Sequence, residues 1–356
     1  MGINTIRIQN FKSIRDSGDV AIHPLNILIG ANGVGKSNFI SFFKFLNQLF
    51  EQHLQLYINQ HGRADNFLYF GRKRSEFLSG EIVFDNEWQN NYEFKLVPDQ
   101  NGNLIFAEEH VGHKSSSWIF NRGGTLESQM QSGDSLKLVY LRKYFSTFKI
   151  FHFHDTSINS KIKQPSGSRD YAYFQEDGGN LAAYLYRLQE AHPDNFKLIE
   201  RTIQSVAPFF DKFYLQPDEI NGQQIFLRWI EKGSDQLFTA HNFSDGTLRI
   251  ICLVTLLLQP TPPSTIIIDE PELGLHPFAI EKLAAMLKSA SQKAQIIIST
   301  QSTTLLNHFD AEDVLVVDRR DEQSTFRRLE VDELSDWLAE YSLSDLWDKN
   351  LLGGRP

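Results

Sequence analysis

The sequence predicts an α/β fold built on a parallel sheet, with an inserted antiparallel β lobe and a small helical lobe. Three observations carry this. Apolar strands alternate with helices through the final third, a glycine-rich loop joins a strand to a helix near the start, and short alternating strands fill the stretch from about 80 to 121.

Taken in order, residues 3 to 8 and 25 to 29 read as strands, the second an unbroken apolar run of the kind buried on both faces of a sheet. Phe39, Phe42, Phe43, Leu46 and Phe50 then recur at helical spacing. From Gly80 to Asn121, Tyr92, Phe94 and Leu96 share one face of a strand, and Asn101-Gly102 supplies a hairpin turn. Residues 148 to 153 return to a strand, and 179 to 206 read as helical, with Leu181, Leu185 and Leu188 lining one side. A helix then starts at Ser244, and strands at Thr265 to Ile268, Gln295 to Ile298 and Val314 to Val317 alternate with helices after Pro277 and Ser302. Leu334, Trp337, Leu338 and Tyr341 are spaced as the packing face of a tail helix, and Leu352-Gly353-Gly354-Arg355-Pro356 reads as a flexible end. This divides the chain into an N-terminal lobe over 1–156, a helical lobe over 157–242 and a C-terminal lobe over 243–356.

Composition narrows the class. The chain has 356 residues, 41% hydrophobic and 22% charged, with no apolar run approaching the roughly 20 residues that span a bilayer. Its start enters a strand directly, without the marks of a signal peptide, so a cytoplasmic protein without a membrane anchor is expected. The single cysteine, Cys252, rules out an internal disulfide and sits in an apolar run as a buried, inert thiol. A net charge of -9 argues against indiscriminate nucleic-acid binding but leaves room for a local basic groove, and the tight cluster Arg72-Lys73-Arg74 reads first as a solvated turn and second as a contact surface.

The chemistry begins at Gly30-Ala31-Asn32-Gly33-Val34-Gly35-Lys36-Ser37, which matches G-x-x-x-x-G-K-[ST] at every fixed position, between a strand and a helix. Glycines turn backbone N–H groups toward an anion, and the helix start adds its positive dipole end. Asn32, Gly33, Gly35, Lys36, Ser37 and Asn38 are the expected nucleotide contacts, with Lys36 on the β- and γ-phosphates of ATP and Ser37 on Mg²⁺. Thr265 to Ile268 end in Asp269 and Glu270, where ligands collect at the carboxyl edge of a parallel sheet. Asp269 suits Mg²⁺, and Glu270 is placed to polarise an attacking water. Upstream, Ser244 is a good N-cap and Gly246 permits close approach, giving a second anion-ready helix end. One P-loop already accounts for the phosphates of one ATP, so this second end suggests the nucleotide of a partner copy.

Together, Gly30 to Ser37, Ser244 to Arg249, and Asp269-Glu270-Pro271-Glu272-Leu273-Gly274-Leu275-His276-Pro277 resemble the ABC/SMC-like ATPase heads. The chain looks most like the RecF/OLD-type stand-alone bacterial ATPases filed under AAA. The likeness extends to Asn10 to Ile14, Phe151 to Ser157 and Ser299 to Ser302. It implies a P-loop NTPase of the ABC-ATPase head type that pairs head-to-tail around two ATP molecules. Ser244 and Gly246 of one copy would close on the γ-phosphate held by Lys36 of the other, Lys12 would lie near the adenine, and Gly274 to Pro277 would carry signals between the two sites.

Two departures qualify the likeness. Gln301 stands where transporter-type ATPases often have His; an amide bonds a γ-phosphate but never becomes cationic, so turnover is expected to be slow. No glutamine loop is evident, and His154-Asp155-Thr156 takes its place in the chain order, as polar contacts to Mg²⁺ or water. His152 and His154 share a face as a metal pair would, but no further His or Cys cluster completes a shell. A transporter subunit is disfavoured by these departures. Pro165, Pro193, Pro208 and Pro217 break any long coiled coil, and strands and helices already occupy the residues after Asp269, where a nuclease domain would have to sit. The expectation is an ATP-driven, dimerising switch in DNA maintenance or anti-phage defence, with a regulatory subunit acting on a protein effector as the alternative and a DNA partner left open.

Overall fold

The computed structural model describes residues 2–113, 116–133, 135–218 and 221–354. The chain forms two units, one of residues up to 148, 264–267 and from 294 onward, the other of 149–263 and 268–293.

The first unit holds two sheets. One is ordered Gln323–Arg328, Val314–Arg320, Leu25–Ile29, Gln295–Ser299, then the opening residues of Thr265–Asp269. Leu25–Ile29 lies between parallel neighbours, with Leu28 opposite both Leu315 and Ser299, and all five of its residues are buried. The unbroken apolar run is accounted for by contact on both faces. Gln323–Arg328 closes the edge as an antiparallel hairpin strand.

The other sheet is antiparallel. Ile3–Phe11 pairs with Ile14–Asp16, Val20–Ala21 and Leu78–Phe84, and Asn91–Pro98, Leu104–His113 and Ser116–Asn121 follow in order. The β lobe expected over 80 to 121 is therefore not a free-standing insert. It extends a sheet begun by the N-terminal strand, whose Ile6 and Ile8 need a partner to cover them. Tyr92, Phe94 and Leu96 are fully buried on one face, as their alternation required.

Helix Lys36–Phe50 is packed by phenylalanines on several sides. Phe42 meets Phe11 at 5.2 Å and Phe94 at 6.2 Å, Phe39 meets Phe326 at 4.9 Å, and Phe43 meets Phe148 at 5.5 Å. Each buried phenylalanine contributes about 1.5–3 kcal/mol, so the helix and the loop at its N-terminus are held in one position. Helices Leu54–Gln60 and Leu136–Ser146 were not legible in the sequence. Arg72 pairs with Asp65 at 2.8 Å and Arg74 with Glu322 at 3.1 Å, which makes the basic cluster a charge-paired turn.

The tail reverses an expectation. Helix Leu343–Asp348 is capped by Ser342, Leu346 and Leu352 are fully buried, and Arg327 Nη2 donates to Leu352 O at 2.7 Å. Gly353 and Gly354 adopt positive φ and fold the chain back, so the segment through Gly354 is docked, while Arg355 and Pro356 lie outside the described residues. Helix Val331–Leu338, expected to pack, leaves Trp337 47% exposed.

The second unit contains helices Leu181–Ala191, Pro193–Val206, Asp245–Leu257 and Pro277–Ala290. Leu181, Leu185 and Leu188 are buried, as their spacing predicted. A three-stranded antiparallel sheet, Phe210–Tyr214, Arg228–Glu231 and Leu237–Thr239, was missed because its strands are three to five residues long. Trp229 stacks against Phe243 at 4.4 Å and Phe238 at 4.8 Å, and so ties this sheet to the residue before Ser244. Cys252 is fully buried and burial raises its pKa, the inert thiol expected. Among the described residues, no helix is long and apolar enough to cross a membrane.

Candidate nucleotide site

In the first unit the loop Gly30 to Gly35 leaves the carboxyl end of Leu25–Ile29, and helix Lys36–Phe50 begins where it ends. Two glycines are sterically required. A Cβ on Gly30 would stand 2.3 Å from Val317 O, and one on Gly35, at φ +118°, would stand 2.1 Å from Ser324 Oγ. Lys36 is 5% exposed, and its Nζ donates to Gly30 O at 2.6 Å and Ala31 O at 2.9 Å. The loop thus curls around its own ammonium group. Asn32, Gly33 and Ser37 are exposed, which leaves them available to a ligand.

A hydrogen-bonded chain braces the loop from behind. Asn38 Nδ2 donates to Ser13 Oγ at 2.7 Å, Ser13 Oγ meets Ser324 Oγ at 2.7 Å, and Ser324 Oγ donates to Val34 O at 2.6 Å. Asn38, expected as a nucleotide contact, is a brace in this arrangement. Lys12 Nζ donates to Ser41 Oγ at 2.9 Å and lies over the rings of Phe11 and Phe67; burial, helped by Lys44, lowers its pKa.

Gln301 follows the parallel strand Gln295–Ser299 and faces the loop across a cavity of about 230 Å³, lined also by Gly30, Ala31, Asn32, Thr303 and, from the tail, Trp347, Asp348 and Gly354. Ser13, Ser324 and the tail residues were missed in the sequence. The one signal that could have found Ser13 was its place in Asn10 to Ile14 beside Lys12.

In the second unit, His154, Asp269, Glu270 and Pro271 line one cleft with Phe153, Arg249 and Leu253. His154 Nε2 bonds Asp269 O at 3.0 Å. Asp155 accepts Ser157 N at 3.1 Å, and the Ser157 side chain together with that amide holds its carboxyl below the usual range. Ser244 caps helix Asp245–Leu257 by accepting Thr247 N at 3.1 Å, and Lys163 pairs with Asp245 at 3.6 Å. His152 and His154 are both exposed, while Phe151 and Phe153 are buried. Among the described residues no cluster of three or more His, Cys, Asp or Glu is arranged to hold a metal by itself. Mg²⁺ takes few protein ligands and is completed by phosphate oxygens and water, so the exposed hydroxyl of Ser37 in the first unit is chemically suited to it.

The family model described as "AAA domain, putative AbiEii toxin, Type IV TA system" matches residues 25–307, most of the chain. The chain belongs to this AAA-domain family. Its fold is that of an ABC/SMC-like P-loop ATPase. A crystal structure of an Smc head bound to the C-winged helix domain of ScpA is similar with a TM-score of 0.62 at 14% identity, covering 94% of this chain and 100% of that one. An Smc head with an extended coiled coil, bound to the C-terminal domain of ScpA and derived from Pyrococcus furiosus, is similar with a TM-score of 0.60 at 13% identity, covering 95% and 99%. Among curated proteins, Urease accessory protein 2 of Cryptococcus neoformans var. grubii is 44% identical over 92 residues, 24% of this AAA-domain chain. The chain spans 7% of that protein's length, and that protein's activity is not carried over.

Proposed function

We propose that this AAA-domain chain binds and hydrolyses ATP, and that two copies close head-to-tail on two nucleotides. The observation that carries this reading is the loop of Gly30 to Ser37 at the carboxyl end of a central parallel strand, with Lys36 bonded inside it and Gln301 facing it across one cavity. Backbone N–H groups and the helix start bind the phosphates, Lys36 bonds the β- and γ-oxygens, and Gln301 bonds the terminal phosphate. Ser37 and Asp269 would hold Mg²⁺, and the ion would supply positive charge to the phosphates. Glu270 accepts the proton of the water that attacks phosphorus, yielding ADP and phosphate.

Asp269 ends the strand Thr265–Asp269 and Glu270 follows it, which supports reading the two as acids at a strand's carboxyl end. Ser244 and Gly246 are assigned to the nucleotide of the opposite copy, since their helix start is capped and exposed. His154 and Asp155 are read as polar contacts near Mg²⁺ or water, and Lys12 as lying toward the base.

The work proposed for the switch is DNA maintenance or anti-phage defence, and the toxin named in the family's description favours an effector role. A second reading, regulation of a protein effector without direct DNA contact, is favoured by the two Smc heads, each solved with a ScpA domain bound. Light scattering with Glu270→Gln tests the core reading. The variant is expected to bind ATP and run as a dimer, while remaining a monomer without nucleotide. A monomer under every nucleotide condition overturns head-to-tail closure, and absence of phosphate release by the wild-type chain overturns hydrolysis. Phosphate release with and without duplex, single-stranded and nicked DNA at low salt separates the two biological readings.

A further inference from the structure

Arg249 has no role in the reading above, yet it joins all the functional segments of the second unit. It lies in helix Asp245–Leu257, and its Nη1 donates to Leu273 O at 2.8 Å while Nη2 donates to His154 O at 3.0 Å. Its Nε is buried without an acceptor, so the guanidinium is held by those two carbonyls. His154 in turn bonds Asp269 O. The backbones also touch. A Cβ on Gly246 would stand 2.6 Å from Gly274 O, and a Cβ on Gly274 would stand 2.6 Å from Arg249 Nη1.

One planar fork therefore bonds two segments at once, the loop after the acidic strand and the 154 turn, from the helix that Ser244 caps. An ammonium group has no such fixed fork. The loop it grips is under tension: Glu270 has φ +45°, a conformation that a non-glycine residue keeps only when its surroundings hold it there. Leu273 N donates to Glu270 O at 3.2 Å, so the residue gripped by Arg249 also closes the turn carrying Glu270.

We infer that Arg249 is a positioning residue that couples the Ser244-Gly246 turn to the turn carrying Glu270 in the same chain. An anion engaged by the helix start then sets the carboxylate serving that chain's own nucleotide, so that the two sites of a closed pair fire together. The coupling to catalysis rests on the role proposed for Glu270; the mechanical link does not.

Arg249→Ala and Arg249→Lys in the full chain test it. The Ala variant is expected to lose about tenfold or more in kcat while its affinity for a fluorescent ATP analogue stays within about threefold, and Lys is expected to fall between Ala and wild type. Amide hydrogen exchange over residues 270–276 is expected to quicken about tenfold or more in the Ala variant, with the P-loop peptide unchanged. Wild-type kcat in Arg249→Ala, or exchange that quickens evenly across the chain in both variants, overturns the inference. Should the wild-type chain release no phosphate, or Glu270→Gln match it, the function proposed above fails; the exchange of residues 270–276 still decides whether Arg249 holds the turn.

Discussion

The hydroxyls of Ser13 and Ser324 meet at 2.7 Å directly behind the P-loop, although 311 positions separate them in the chain. Ser324 Oγ also donates to Val34 O, so a turn and a distant strand support the loop that Lys36 completes. Ser324→Ala leaves a buried carbonyl short of its donor and is expected to cost about 1–3 kcal/mol of stability. Nucleotide affinity should fall several-fold with it. Denaturant unfolding and a fluorescent-nucleotide titration check both, and an unchanged affinity would separate the brace from the binding loop.

Lys36→Ala would remove the two charge-assisted bonds proposed to phosphate, worth about 1.5–3 kcal/mol each, and is expected to weaken ATP binding by about a hundredfold or more. Circular dichroism should stay as in wild type, because the helix below the loop is held by its phenylalanines. Calorimetric titration with ATP is the measurement, and near-normal affinity would remove the loop from the site.

Phe42→Ala tests that support. Phe42 is fully buried against Phe11 and Phe94, so its truncation is expected to cost about 3–5 kcal/mol. Urea unfolding gives the value, and a loss under about 1 kcal/mol would mean the helix is not anchored by these rings.

Asp16 sets a pH dependence. Arg7 side-chain bonds hold its carboxyl down to about 2 in the hairpin that carries Lys12 and Ser13. A lowered folded-state pKa contributes stability above the unfolded value near 3.8, and that contribution is lost as pH falls from about 4 toward 2. The pair is over a third exposed, so screening reduces the contribution to about 0.5–1 kcal/mol. Asp16→Asn should therefore be less stable than wild type in urea at pH 7, with a gap that narrows as pH falls from about 4 and closes only below about 2.

The parts of this molecule legible in the sequence are those where one local stretch does the chemistry. Gly30 to Ser37 could be read because strand, glycine-rich loop and helix follow one another without a break, and Asp269 because an apolar run announces the strand it ends. Unbroken apolar runs such as Leu25–Ile29 announced buried strands for the same reason. What stayed hidden depends on contacts between remote positions. Nothing in the residues near Ser324 points to Ser13, and nothing near Arg249 points to Leu273 and His154. Leu352-Gly353-Gly354 looked like a loose end because glycine serves tight docking and loose chain equally well. The strand Leu237–Thr239 is too short to show a period.

The docked segment over 343–354 has a consequence for biosynthesis. Trp347 lines the same cavity as Gly30 to Asn32, and it leaves the ribosome 311 residues after Lys36. At about 5–20 residues per second, roughly 15 to 60 s pass between the two, during which the nascent chain carries a phosphate loop with neither its opposite wall nor Ser324 behind it. The cavity's last wall is thus laid down only after Gln301, another of its lining residues, has been made.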